Sequence, residues 1–80
     1  MNYHKEITQY LTRVSKNDFT KMIDKQVFDS RSGLWFTVED VYLSFVNKKV
    51  VGILTSDEYD CYDSYGKEEL NEIEFYYKEN

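Results

Sequence analysis

The chain has 80 residues, ten Lys or Arg, fifteen Asp or Glu and a net charge of −5, with 41% hydrophobic and 18% aromatic residues. That content supports one small folded domain, residues 1–80, and is not that of a disordered chain. The negative balance argues against direct nucleic-acid binding, whose affinity comes largely from Lys and Arg neutralising phosphates.

No run approaches the roughly 20 apolar residues of a membrane span. Residues 1–10 lack the apolar run of a signal peptide. The lone Cys61 forms no disulfide within the chain and fits a reducing, cytoplasmic compartment. Lys, Asn, Ile, Tyr and Phe are plentiful while Pro and Ala are absent, a bias that fits an AT-rich bacterial or phage genome.

Tyr3, Ile7, Tyr10, Leu11 and Val14 recur at helical spacing and predict a first helix. Residues 15–18 break it, and Ser15 or Asn17 can cap a second helix with Asp18 in its first turn. Phe19, Met22, Ile23 and Val27 would form the apolar stripe of that helix. Residues 29–33 read as a loop.

The period then falls to two. Leu34, Phe36 and Val38 alternate with Trp35 and Thr37, and Val41, Leu43 and Phe45 alternate with Tyr42 and Ser44. After Asn47, Lys48 and Lys49 comes a second β-rich run, Val50 to Leu54. A two-residue turn would place Val41, Leu43, Phe45, Val50 and Leu54 on one sheet face. Residues 55–69 read as an acidic loop. Leu70 to Tyr77 fits either a helix or a strand; the Phe75, Tyr76, Tyr77 run favours a strand with Glu72, Glu74 and Tyr76 outward. The expected fold is therefore α+β, two N-terminal helices packed on an antiparallel sheet of three or four strands.

Catalytic and metal motifs are weak. An EF-hand register with Gly66 at its sixth position puts Asp63 at the third and Glu72 at the twelfth, but Cys61 and Tyr65 fall where ligands belong. Asp60 and Asp63 beside Cys61 disfavour its thiolate. His4 is the only histidine, and no second one joins it to build a zinc site. Gly33, Gly52 and Gly66 are isolated, so no phosphate-binding loop is present. The reading is a non-enzyme with no cofactor and no metal.

Charge is unevenly spread. Residues 57–80 hold nine acids against Lys67 and Lys78, a net of −7, while residues 1–56 carry +2. Tyr59, Tyr62 and Tyr65 lie among these acids at a spacing of three. Carboxylates alone would serve solubility. Tyrosine adds the apolar ring and hydroxyl enriched at protein interfaces. The expected partner-binding region is Asp57, Glu58, Tyr59, Asp60, Tyr62, Asp63, Tyr65, Glu68, Glu69, Glu72 and Glu74. Its expected partner is a basic nucleic-acid-binding protein or a toxin. On a strand, Glu72 and Glu74 would stand about 6.6 Å apart and match alternate phosphates.

Two resemblances accompany this reading. The segment from Val41 to Leu54, VYLSFVNKKVVGIL, resembles the central hairpin of GNAT-type N-acetyltransferases, and Glu72 to Tyr77 resembles the strand that follows it. The Q/R-x-x-G-x-G/A loop that binds acetyl-coenzyme A in that family has no counterpart here. The resemblance therefore implies a sheet and transfers no catalytic residue. By type, a small acidic chain rich in tyrosine is similar to phage-encoded inhibitors that mimic DNA and block glycosylases, nucleases or CRISPR effectors. Immunity proteins and antitoxins share that type. The implied functions are an inhibitor of a nucleic-acid-binding enzyme or, alternatively, an immunity protein neutralising a cognate toxin; a further alternative is a non-enzymatic acetyltransferase-like binding module.

Overall fold

The computed structural model describes residues 5–79. One antiparallel sheet of six strands dominates it. The strands are β1 (Thr12–Arg13), β2 (Gln26–Asp29), β3 (Leu34–Leu43), β4 (Val50–Ser56), β5 (Tyr62–Gly66) and β6 (Phe75–Tyr77). Two short helices, α1 (Lys5–Thr8) and α2 (Lys67–Glu72), and a 3-10 helix at Lys16–Lys21 complete the described chain. The spatial order is β1-β6-β2-β3-β4-β5. Strands β2 to β5 form a meander; α2 then carries the chain back so that β6 inserts between β2 and β1.

This overturns the expected pair of N-terminal helices on a sheet of three or four strands. Ile7 and Tyr10 are exposed rather than packed on a core. Tyr3, on the same predicted face, lies outside the described residues. Val14 is buried because its amide bonds to the Phe75 carbonyl at 2.8 Å, which draws the segment onto the sheet edge. Of the second predicted helix's stripe, Phe19 and Met22 are buried in and just after the 3-10 turn. Their spacing of three suits the tighter 3-10 turn. Ile23 is largely exposed and Val27 belongs to β2. A chain without alanine and rich in aromatics and β-branched residues has little intrinsic bias to hold a long helix against such competition.

The long hairpin is present with a different tip. Strand β3 stops at Leu43, and a six-residue loop replaces the two-residue turn. Ser44 N–H donates to the Lys49 carbonyl and Lys48 N–H to the Ser44 carbonyl, with Lys48 at φ 61°. Phe45 and Val46 are therefore thrown out to solvent, each 93% exposed, and Leu43 is half-exposed. The segment read as an acidic loop contains the end of β4, the whole of β5 and the start of α2. Residues 70–77 divide: Leu70 to Glu72 are helical and Phe75 to Tyr77 form β6.

The sheet curls around its core. Val27, Val38, Val50, Ile53, Tyr65 and Phe75 meet there with Phe19, Leu70 and Ile73. Tyr65 sits on the outermost strand β5, yet its ring stands edge-on to Phe75 of β6, with centroids 5.1 Å apart. Phe75 in turn meets Phe19 edge-on at 5.4 Å. The Tyr65 hydroxyl donates to Asp29 Oδ2 of β2 at 2.9 Å. These contacts bring β5 over β2 and β6. Gly52 permits the close approach of β5 to β4, since a Cβ there would lie 3.0 Å from the Tyr65 carbonyl oxygen.

Candidate interaction surface

Because β3 and β4 pair Thr37 with Ser56, the chain leaves β4 beside the start of β3. The loop 57–61 thus rises next to Leu34 and Trp35. Asp57 organises it: Oδ1 accepts the amides of Tyr59 at 2.8 Å and Cys61 at 2.9 Å. The turn holds Asp60 at φ 61° and leaves Glu58 and Tyr59 pointing into solvent, Tyr59 78% exposed. Strand β5 follows as one edge of the sheet, with Tyr62 62% exposed and Asp63 exposed. Asp63 Oδ1 accepts the Ser64 amide at 2.9 Å. A carboxylate over an edge amide blunts the edge as a template for strand pairing. Helix α2 begins where β5 ends and presents Glu68 and Glu69; the latter accepts the Gly66 amide at 3.1 Å.

The structure thus gathers Asp57, Glu58, Tyr59, Asp60, Tyr62, Asp63, Glu68 and Glu69 along the loop, the β5 edge and the first turn of α2. Among the described residues, no ion pair engages any of these acids. Three members of the predicted site stand apart. Tyr65 is in the core, where burial first and the nearby Asp29 carboxylate second push its phenol well above the ordinary tyrosine range. Glu72 lies at the end of α2, 3.9 Å from Arg31, and Glu74 lies in the link to β6, accepting from the Tyr76 hydroxyl at 2.6 Å and 4.0 Å from Arg13. They do not share a strand, so the expected match of Glu72 and Glu74 to alternate phosphates does not hold.

Sequence reasoning missed the groove beside the loop. A hollow of about 360 Å³ lies between Leu34 and Trp35 on one side and Ser56, Asp57, Glu58 and Tyr59 on the other. Trp35 projects from the outer sheet face, packed on Phe28 at a centroid distance of 5.3 Å and 38% exposed. A larger, open hollow of about 1040 Å³ on the far side of Trp35 is bordered by Met22, Lys25, Tyr77 and Lys78. The available signal was the lone tryptophan at an outward position of an alternating strand.

Cys61 is exposed, and His4 lies outside the described residues. Among the described residues, no three of His, Cys, Asp and Glu gather in a way that suits a metal ion. No described helix is long and apolar enough to cross a membrane. Comparison with protein-family models, curated proteins and solved structures finds no match to this chain.

Proposed function

We propose that this protein is a small stoichiometric inhibitor that covers the basic site of a nucleic-acid-binding enzyme. The observation that carries the reading is the run of carboxylates over loop 57–61, β5 and the first turn of α2, none in an ion pair among the described residues, with Tyr59 and Tyr62 exposed among them. Strand β5 alone extends this ridge over roughly 17 Å. Carboxylates on a fixed edge stand in for phosphates, and the two rings add apolar contact that a free polyanion lacks. Binding is by competition, without turnover.

The test is capture from lysate on the immobilised protein, followed by elution with a double-stranded oligonucleotide. A nucleic-acid-binding protein retained by the wild type should be released by the oligonucleotide and lost on the double reversal Asp63→Lys, Glu68→Lys. Both positions are exposed, so the fold tolerates the change. Retention of the same partner by the reversed variant, or a ternary complex with DNA, would overturn the inhibitor reading.

A further inference from the structure

We propose that the groove between Trp35 and Tyr59 receives an arginine side chain of the partner. This inference rests on the proposed function and names the contact that would anchor it. The groove is lined by two aromatic residues, Trp35 and Tyr59, and two carboxylates, Asp57 and Glu58. A guanidinium is the side chain that uses both: it stacks flat on an aromatic ring and donates in a fork to a carboxylate. A lysine ammonium is a strongly hydrated point charge and gains less from the flat walls.

The site is built before any partner arrives. Phe28 packs against the indole with ring centroids 5.3 Å apart and planes tilted by 56°, which holds Trp35 in place while it stays 38% exposed. Asp57 is only partly exposed, and its Oδ1 is held by two loop amides, leaving Oδ2 for an incoming donor. Glu58 is exposed and can close over the guanidinium from the rim. Nothing in the described chain already fills this role. Arg31, in the adjoining β2–β3 turn, reaches out to Glu72 at 3.9 Å instead. The volume of about 360 Å³ suits one long side chain and its flanking backbone. It lies at the low end of the roughly 300–1,000 Å³ typical of ligand clefts.

Trp35 is the only tryptophan of the chain, so its emission reports occupancy directly. The probes are a capped tetrapeptide with two central arginines and its lysine and citrulline counterparts. Citrulline keeps the planar shape and loses the charge. The arginine peptide should change Trp35 emission saturably, the lysine peptide several-fold more weakly, and the citrulline peptide not at all. Tyr59→Ala and Glu58→Gln should each weaken the arginine peptide by roughly threefold to tenfold. Both residues are exposed, and circular dichroism checks that each variant keeps its fold. A linear response shared by arginine and lysine, or unchanged affinity in both variants, would overturn the proposal. Capture of a partner that is lost on Asp63→Lys, Glu68→Lys but indifferent to Tyr59→Ala and Glu58→Gln would sink the arginine groove and leave the inhibitor reading standing.

Discussion

Asp29 divides its two carboxylate oxygens between its own turn and a distant strand. Oδ1 accepts the amides of Arg31 at 2.8 Å and Ser32 at 3.0 Å, while Oδ2 accepts from the Tyr65 hydroxyl. One buried acid thus shapes the β2–β3 turn and ties β5 over the core. Tyr65→Phe should cost about 1.5–3 kcal/mol in urea unfolding, the range for a buried hydrogen bond to a charged group. Tyr62→Phe should cost almost nothing. Asp29→Ala should cost more than Tyr65→Phe, because it also strands two turn amides. The same pair predicts a pH dependence. Tyr65 is held protonated in the folded state, so its contribution is complete below the unfolded tyrosine pKa of about 10 and falls as pH rises beyond it. Unfolding free energy should drop between about pH 9 and about pH 11 in the wild type and drop less in Tyr65→Phe. The sequence placed Tyr65 with Tyr59 and Tyr62 because all three share acidic neighbours. Composition is identical on both sides of a strand; only the pleat separates Tyr62 from Tyr65, and that needs the strand itself to be recognised.

The β3–β4 hairpin shows what was legible at the scale of elements. Its alternation and β-branched residues announced both strands, and the structure has them. Its tip was not legible, because Ser44 and Asn47 rebuild the turn through their side chains. Ser44 Oγ accepts the Val46 amide at 3.3 Å and Asn47 Oδ1 the Lys49 amide at 3.0 Å. Phe45→Ser and Val46→Ser should therefore leave stability within about 0.5 kcal/mol of wild type. Ile53→Ala, at a fully buried position of the same hairpin, should cost about 2–5 kcal/mol. Equal losses at the tip and at Ile53 would show that the tip packs. The N-terminal helices were misread for a different reason. Apolar spacing of three and four also arises in a 3-10 turn followed by a strand, as Phe19, Met22, Ile23 and Val27 show. What decides between them is β6, a partner of three residues that lies far away in sequence. Gly33, at φ 76°, closes the β2–β3 turn, and Gly33→Ala should destabilise by about 1 kcal/mol or more, measured by the same urea titration.

Across the whole molecule, the asymmetry of charge read from the sequence survives folding in altered form. The acids of residues 57–69 remain together on one edge, whereas Glu72 and Glu74 lie near Arg31 and Arg13. Association through that edge should be steered by charge that salt screens within about 8 Å at physiological ionic strength. Partner affinity should fall at least about tenfold between roughly 50 mM and roughly 500 mM salt, mostly through the on-rate. A salt-independent affinity would place the interface elsewhere. The strand order carries a separate consequence, for biosynthesis. Among the described residues, Thr12 and Arg13 pair only with Tyr77 and Tyr76, so β1 waits for β6 to be synthesised. Until β6 emerges, β2 shows a bare flank and Phe19 lacks the ring that covers it. The nascent chain can assemble its central meander early, but it cannot complete its core before residues 75–77 are free.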